Sequence, residues 1–471
     1  MNGLDSLKKI SLEKKSAIVF VFATAISSGL NMVTTPFFTR LMPVDSFGVV
    51  QLFNTWYQIL AVFATFSVTN AIINVGFHNY TNDRMGYLSS SLGFATVSTL
   101  IIVSLVFLAQ GWFTKVSGLN ISLIILMALS FLFLNSTRLW ICLQRYELKY
   151  KKVFFVMTLS GIISTIISLI AVYLVDDHYA EARLWSVNAI PIIVGIVLYI
   201  YICLKGKKFY NKKYWTFILT FNAPLLIHYL SQFILAGSDR LMINYYCNEA
   251  DVAIYSLAYL VSNILLVFFS PINSVIIPYT HKLFDAGNYT AIENFLCKLL
   301  IGTGIIIFII SLLSPEVVSV LGGKQYMDGI KIVPVVSLST LFNVLYIFVA
   351  NIEFLYGKTH KIALMTIIAA LLNILLNALL IPIFGFAAAA YTTLIAYIVY
   401  AILHIYNMQK LCKHRIFSHK KLFVICFSCF FLCMTTVFIS EMIIIRYILL
   451  AACIIIFPYI YKKSKLKFDN I

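Results

Sequence analysis

The sequence predicts an all-α integral membrane protein with about fourteen transmembrane helices. Hydrophobic residues make up 61% of its 471 residues and charged residues only 11%, whereas about a quarter of the residues in a soluble domain are charged. Apolar runs of about 20 residues, each long enough to cross a bilayer, follow one another almost from end to end. They lack the short alternating pattern of a membrane β-barrel, so we expect every span to be helical.

Fourteen apolar segments account for most of the chain. The first follows two lysine pairs but has no small-x-small cleavage site, so we expect a retained helix rather than a signal peptide. No loop between the segments is large enough to hold a folded soluble domain. The segments lie near residues 16–36, 48–75, 87–109, 119–142, 153–175, 183–204, 214–236, 251–280, 292–313, 330–356, 360–383, 385–408, 422–440 and 443–461.

The distribution of basic residues predicts the orientation of the chain. Most of the 35 lysines and arginines lie in loops on one side of the predicted topology. Because cytoplasmic loops carry an excess of Lys and Arg, we expect both termini in the cytoplasm and an even number of spans. The same loops explain the net charge of +17. Basic loops commonly face an anionic leaflet, so no nucleic-acid partner is inferred.

Two basic loops also divide the chain into predicted domains. The loop at 205–215 separates two lobes of six spans each, and the loop at 409–421 ends the second lobe. We therefore predict an N-terminal lobe over residues 1–213 and a C-terminal lobe over residues 214–421. An additional helix pair with a basic tail follows over residues 422–471. This pair has so few polar groups that we expect it to face lipid or to contact an apolar chain of a substrate.

A short motif occurs once in each half of the chain. An Arg-Leu-Met triplet begins at Arg40 and again at Arg240, and each triplet is followed by a short polar stretch and another apolar helix. Such an echo is typical of transporters built from two structural repeats. The positive-inside tendency disfavours arginine at the outer helix ends predicted here. We therefore expect both arginines to serve function or repeat architecture, with Asp239 neutralising Arg240 locally.

The second segment carries a stripe of polar and small residues. Asn54, Gln58, Ala61, Thr65 and Thr69 recur every three to four residues, which places them on one helix face. Such a stripe either packs against another helix, which is the commoner case, or lines water. Asn54 and Gln58 are therefore candidate cavity-lining residues.

The fourth and tenth segments contain charged residues, which cost about 2.5–3.5 kcal/mol at mid-membrane. Arg138 is placed four residues from the inner end of the fourth segment, where it could snorkel to headgroups or face a cavity. Glu353 is similarly near the inner end of the tenth segment, where Lys358 or Lys361 could pair with it.

The seventh segment contains Asn222, Pro224, His228 and Gln232. Pro224 removes a backbone hydrogen bond, which neighbouring polar groups or water must compensate. His228 and Gln232 share a face through their i,i+4 spacing. The structural interpretation is a kinked helix with an interhelical hydrogen bond. The functional interpretation is a cavity wall or a proton-carrying histidine, and the sequence leaves both open.

The cysteines predict neither a disulfide nor a metal site. Of nine cysteines only Cys247 falls in a predicted outside loop, so no external disulfide is available. Cys426, Cys429 and Cys433 have a metal-like spacing but lie in an apolar helix without His or carboxylate beside them, so we interpret them as apolar filler. With no nucleophile or acid–base pair evident, we expect no cofactor and no enzyme activity.

Three segments, in order along the chain, carry a family resemblance. PFFTRLMPVDSFG from Pro36 resembles a TRLLSPEEFG stretch, and SDRLMINYY followed by DVAIYSLAY resembles a DR…I…GLYSLAY stretch. NILLNALLIPIFGFAAAAYTTLIAY from Asn373 is similar to NIVLNLLLIPLFGIIGAAIAT. These stretches are typical of the Wzx-type O-antigen flippases, polysaccharide relatives of the multidrug and toxin extruders. Alanine replaces their glycine at Ala253, Ala387 and Ala388, which affects helix packing more than mechanism.

The resemblance implies two helix bundles in a V around a cationic cavity that opens to one side at a time. The substrate would be undecaprenyl-pyrophosphate-linked oligosaccharide, an O-antigen, capsule or related repeat unit, moved from the inner to the outer leaflet of the bacterial cytoplasmic membrane. Expected partners are this substrate, membrane lipid and other polysaccharide-assembly membrane proteins. The candidates for binding its anionic groups are Arg40, Arg138 and Arg240. The candidates for lining the cavity or for coupling are Asp239, His228, Gln232, Asn222, Asn54 and Gln58.

Two rival functions remain. A drug extruder shares the implied fold but requires an apolar, aromatic pocket with an acidic residue, and mid-span acids are nearly absent from this chain. A membrane polymerase of the same pathway would require a sizeable outside loop with paired acids, Arg or His. The longest predicted outside stretches, at 176–183 and 314–329, are short and look like ordinary turns.

Overall fold

The structure, a computed structural model, describes residues 12–356, 359–412 and 414–464, and its regular structure there is helical. The second predicted segment, 48–75, divides into a long helix that ends at Ala64, a turn that contains Thr69, and the short helix Ala71–Asn79. Fourteen long helices otherwise correspond to the fourteen predicted segments, which confirms the predicted all-α membrane fold. They are α1 (Leu12–Leu41), α2 (Val44–Ala64), α3 (Arg84–Leu108), α4 (Ile121–Tyr146), α5 (Tyr150–Leu174), α6 (Tyr179–Gly206), α7 (Lys212–Tyr246), α8 (Glu249–Asp285), α9 (Tyr289–Leu312), α10 (Val333–Glu353), α11 (Thr359–Phe384), α12 (Ala388–Cys412), α13 (His419–Phe438) and α14 (Ile443–Ser464).

The surfaces of these helices suit a bilayer. Within the described ranges, 12 helices are long and apolar enough to cross a membrane, judged by length and composition. Large apolar side chains remain exposed along them, and Phe423, Phe427 and Phe431 on α13 are each more than half exposed. A soluble monomer rarely exposes such continuous apolar surface. The chain is a multi-pass membrane protein.

The helices form two compact units, the first ending at Ala253 and the second beginning at Ile254. The boundary lies in the first turns of α8, and α7 belongs to the first unit. The lobes inferred from the basic loops meet instead at residue 213. The division into two six-helix lobes stays a prediction.

In the first unit, small residues allow helices and aromatic rings to pack closely. The fully buried Tyr87 donates its hydroxyl to the carbonyl of Ile72 at 3.2 Å. Gly76 leaves room for this ring, because a Cβ there would lie 2.1 Å from it. Between α4 and α6, the Ser136 hydroxyl donates to the Gly195 carbonyl at 2.6 Å. Small residues at such points let helix backbones approach closely in a membrane protein.

Gly48 marks another close approach within the first unit, between α2 and the start of α8. A Cβ built on Gly48 would lie 1.9 Å from the backbone carbonyl oxygen of Glu249. Even alanine would therefore force the two backbones apart. Gly48, the last residue of the PFFTRLMPVDSFG stretch, is thus a contact point between helices.

In the second unit, α10 is the central helix, and nearly all of its side chains are buried. Two serine hydroxyls join it to α8. Ser337 donates to Ser262 at 3.0 Å, and Ser262 donates to the carbonyl of Val333 at 3.2 Å. Between α11 and α12, the buried Asn373 donates its amide to the hydroxyl of Thr393 at 3.3 Å. Polar side chains thus hold apolar helices in register.

A buried arginine anchors the last helix to the second unit. Arg446 of α14 is only 4% exposed. It donates to both carboxylate oxygens of Glu316, at 2.7 and 2.8 Å, and to the carbonyl of Leu312 at 2.7 Å. Glu316 lies in the short helix Ser314–Gly322, and its hydrogen bonds with Arg446 hold the pKa of its carboxyl below the usual value. This bidentate pair fixes α14 against the unit.

Candidate functional site

The polar stripe predicted on α2 divides into an accessible part and a buried part. The side chains of Asn54 and Gln58 are exposed. Thr65, two turns further along, is buried and donates its hydroxyl to its own helix at the Ala61 carbonyl, at 2.7 Å. The stripe therefore packs against protein near the end of α2 and is open along its middle.

Helix α7 lies alongside α2 in the same unit. A Cβ on Gly237 would lie 3.1 Å from Thr55, and the Asn222 amide donates to the Phe66 carbonyl at 2.9 Å. The earlier residue of α7, Asn222, contacts the later residue of the α2 region, Phe66, and the later Gly237 contacts the earlier Thr55. The two helices therefore run antiparallel. His228 and Gln232 lie between these contacts along α7, at the depth of the middle of α2. Gln232 is exposed and His228 is half-buried.

Asn222 is placed differently from its neighbours on α7. Its side chain is fully buried. The amide donates to the carbonyl of Phe66, just beyond the end of α2, while its side-chain oxygen has no hydrogen-bond partner among the described residues. Asn222 thus ties α7 to the turn that follows α2.

Arg138 reaches the same region from α4. Its side chain is exposed, and its guanidinium carbon lies 5.8 Å from the centre of the Tyr57 ring, adjacent in sequence to Gln58. Tyr57 in turn stacks on Phe131 of α4 at 4.9 Å. Helix α4 continues to Tyr146, so Arg138 lies eight residues from the helix end rather than the predicted four. Two helical turns, about 12 Å, separate it from that end.

The two arginines of the repeated triplet have the same local geometry. Arg40 donates to the Pro36 carbonyl at 2.7 Å, and Arg240 donates to the Ala236 carbonyl at 3.1 Å, each four residues back in its own helix. Arg40 is exposed one residue before the end of α1, and Arg240 is half-buried. Arg240 lies six residues before the end of α7 at Tyr246 rather than at the predicted outer helix end. The neighbouring Asp239 is fully buried.

The first unit therefore brings some of the predicted residues together. Polar side chains of α2 and α7, exposed except for the half-buried His228, and an exposed cation of α4 lie on neighbouring helices. They are Asn54, Gln58, His228, Gln232 and Arg138, and we call this set the polar face. Arg40 lies apart from it on α1, and Arg240 lies further along α7.

Sequence reasoning missed a polar cluster in the second unit. Glu353, the last residue of α10, is hydrogen-bonded to His404 Nδ1 through one carboxylate oxygen. Its other oxygen accepts from the Asn407 amide at 2.6 Å. Pairing with Lys358 or Lys361 was expected; Lys358 lies outside the described residues, and the bonds described for Glu353 run to α12. The presence of His404 and Asn407 three residues apart in an apolar segment was the available signal.

Comparison with solved structures defines the fold. The chain superposes on the structure of the lipid II flippase MurJ in its inward closed conformation with a TM-score of 0.70. The two sequences are 15% identical, and the match covers 96% of this chain and 99% of that chain.

A family model described as "polysaccharide biosynthesis protein" matches residues 14–284. The chain belongs to this family, which confirms the family predicted from the three motifs. It is 25% identical to an uncharacterized membrane protein of Methanocaldococcus jannaschii, covering 86% of this chain and 85% of the relative. It is 21% identical to the "probable low-salt glycan biosynthesis flippase Agl15" of Haloferax volcanii, covering 84% of this chain and 83% of that relative.

Proposed function

We propose that this protein is a flippase that moves undecaprenyl-pyrophosphate-linked oligosaccharide from the inner to the outer leaflet by alternating access. Family membership, the name of the Haloferax relative and the fold shared with a lipid II flippase support a lipid-linked saccharide as the substrate. The repeat unit would belong to an O-antigen, capsule or related polysaccharide. The membrane would be the bacterial inner membrane, with both termini in the cytoplasm.

The position of Arg138 carries this proposal. A cation two turns inside a membrane helix is costly, and Arg138 is exposed near the Tyr57 ring of α2, the helix that carries the exposed Asn54 and Gln58. Guanidinium groups bind phosphate oxygens through paired hydrogen bonds, and amides bind sugar hydroxyls. The polar face thus offers complementary groups for a pyrophosphate and the sugars attached to it. The polyprenyl tail would remain in lipid.

Arg40 and Arg240 extend the proposed cationic path. Each donates to a backbone carbonyl four residues earlier in its own helix, and a guanidinium can form paired hydrogen bonds with a phosphate. In this proposal they receive or release the pyrophosphate while Arg138 contacts it deeper in the membrane. Asp239 beside Arg240 would limit the positive charge at that end.

Neutralising the arginines tests the proposal. Arg40→Gln, Arg138→Gln and Arg240→Gln should each reduce surface polysaccharide in a deletion strain complemented with the variant, at unchanged membrane protein level. Lysine should restore display in part, because it keeps the charge but loses the planar fork. Arg145→Gln is the matched control, since Arg145 is an exposed arginine in the last turn of α4, over the Phe20 ring at 5.1 Å. Wild-type display from all three glutamine variants would overturn the charge-binding role.

The same strain separates the rival functions. A flippase defect should leave the lipid-linked saccharide accumulated on the cytoplasmic side. A drug extruder would instead change sensitivity to toxic cations without affecting polysaccharide. Polymer formed by the purified chain from lipid-linked units would favour the polymerase.

A further inference from the structure

The second unit encloses an acid–base pair that the proposed polar face does not use. Glu353 of α10 and His404 of α12 are both fully buried, with no exposed side-chain surface. His404 Nδ1 is hydrogen-bonded to one Glu353 oxygen, and Asn407 donates to the other. The Tyr346 and Tyr400 rings each lie 4.7 Å from the His404 ring. The pair is thus held on one side by an amide and on the other by aromatic rings.

The hydrogen bonds leave one protonation position open. With a carboxylate at Glu353, His404 Nδ1 carries the hydrogen of the shared bond. His404 Nε2 is buried and has no hydrogen-bond partner among the described residues. If Nε2 carries a proton, the positive imidazolium balances the carboxylate and the pair is neutral. If Nε2 carries no proton, the imidazole is neutral and the negative charge of Glu353 remains in a buried site, which is unfavourable.

Among the described residues, the ion pair of Glu353 is with His404. The titratable side chains nearest in the fold are those of the neighbouring helices and of the segment after α10. Glu293 of α9 is engaged by Lys421 of α13 at 3.0 Å, and His281 of α8 contacts the Asn351 carbonyl at 3.0 Å. The others on the packed elements are Tyr346, Tyr356, Lys361, Tyr397, Tyr400, Cys297, Lys298 and Cys412.

Glu353 is the last residue of α10, and the following Phe354 and Leu355 are 50% and 40% exposed. The fully buried pair thus lies at a helix end rather than in the middle of α10. Since α10 is buried along almost its whole length, a change of charge at its end acts on the packing of the central helix.

We propose that Glu353 and His404 form a proton-binding site that controls the packing of α10 against α12. Proton uptake from water places the hydrogen on His404 Nε2 and yields the neutral pair. Proton release returns it to water and leaves the buried carboxylate uncompensated, which favours an arrangement that hydrates it. The link to transport rests on the proposed flippase function, whereas the site itself does not.

Histidine NMR tests the site directly. The full-length protein, labelled with ¹⁵N-histidine and held in lipid nanodiscs, contains eight histidines, and the His404→Gln spectrum assigns the signal. We expect the Nε2 signal of His404 to show proton uptake as the pH is lowered. Glu353→Gln should move this transition, because the neutral amide removes the charge that balances the imidazolium. If His404→Gln fails to fold, the signal that moves in Glu353→Gln provides the assignment.

An unchanged His404 signal from pH 5 to 8.5 would overturn the proposal. A transition that is identical in wild type and Glu353→Gln would overturn it as well, since the pair would not act as a unit.

Transport provides the second readout. In proteoliposomes with a fluorescent polyprenyl-pyrophosphate disaccharide, the pH dependence of flipping should flatten in Glu353→Gln. It should persist in His281→Gln, a matched control on α8 of the same unit. A titrating His404 with no flipping by wild type would reject the flippase proposal and leave the proton site standing. Flipping with an unaltered pH profile in Glu353→Gln would reject control by the site and leave the flippase proposal standing.

Discussion

Asn222 holds the chain just after α2 in a backbone conformation that most residues avoid. Phe66 and Ser67 both have φ of 50°, in the left-handed region that is an outlier for a bulky residue such as phenylalanine. The amide of Asn222 binds the carbonyl of Phe66 there. A buried amide on α7 thus stabilises a strained turn two residues beyond the end of α2.

Removing that amide should destabilise the protein. We expect Asn222→Ala to lower the free energy of unfolding by about 1–3 kcal/mol, the cost of leaving a buried carbonyl unpaired. The control is Ser231→Ala on the same helix, whose hydroxyl binds only the Ile227 carbonyl of its own helix at 2.8 Å. Thermal unfolding in detergent should show a clear loss for Asn222→Ala alone. Equal melting temperatures for the two variants would contradict a role in holding the turn.

Individual side chains were predictable from sequence only where neighbours along the helix decide their environment. The spacing of Asn54 and Gln58 predicted a shared face, and both are exposed. The partner of Glu353 was not predictable from spacing, because His404 lies 51 residues away. Nearby lysines are the obvious partners in a sequence. Only the packing of α10 on α12 shows which polar group faces the carboxylate.

At the level of elements, helix positions follow directly from the apolar runs. Every predicted segment became a helix because a run of this length must satisfy its backbone within itself in a bilayer. Helix ends were less predictable. Asp239 and Arg240 end the apolar run of the seventh segment, yet α7 continues to Tyr246. Burial of Asp239 and the backbone bond of Arg240 place both charges within the helix.

Helix α14 should depend on its buried anchor. Glu316→Gln leaves the buried guanidinium of Arg446 without a carboxylate, which destabilises the attachment of α14. We expect a lower melting temperature for this variant. Glu441→Gln, which removes an exposed partner 3.5 Å from Lys331, should have little effect. Replacing both Arg446 and Glu316 by methionine should recover much of the loss. A Glu316→Gln variant as stable as wild type would show that the pair does not anchor α14.

The same pair predicts a dependence on pH. The folded pKa of Glu316 is lowered by Arg446, so its contribution is complete above the unfolded pKa of about 4.3 and is lost as pH falls through the folded value. The melting temperature of the wild type should therefore fall more steeply below about pH 4 than that of Glu316→Gln. Parallel curves for the two proteins would contradict this assignment.

For the whole molecule, the distribution of positive charge predicts topology. Reporters fused within residues 205–213 or after Lys465 should remain cytoplasmic, and a reporter near His178 should be exported, because basic loops are retained inside. Paired alkaline phosphatase and green fluorescent protein fusions give opposite signals on the two sides and serve as mutual controls. An exported reporter after Lys465 would require an odd number of spans.

The contact between Gly48 and the Glu249 carbonyl has a consequence for how relatives of this chain are compared. Gly48, which ends the PFFTRLMPVDSFG stretch, is required by the contact between two backbones. This requirement does not depend on the substrate. The steric constraint falls on the glycine alone, so two proteins with this helix contact but different cargo should share it. Divergence in cargo should instead appear at accessible positions such as 54, 58 and 138, where side chains can change without disturbing a helix contact. Grouping relatives by these three positions should sort them by saccharide.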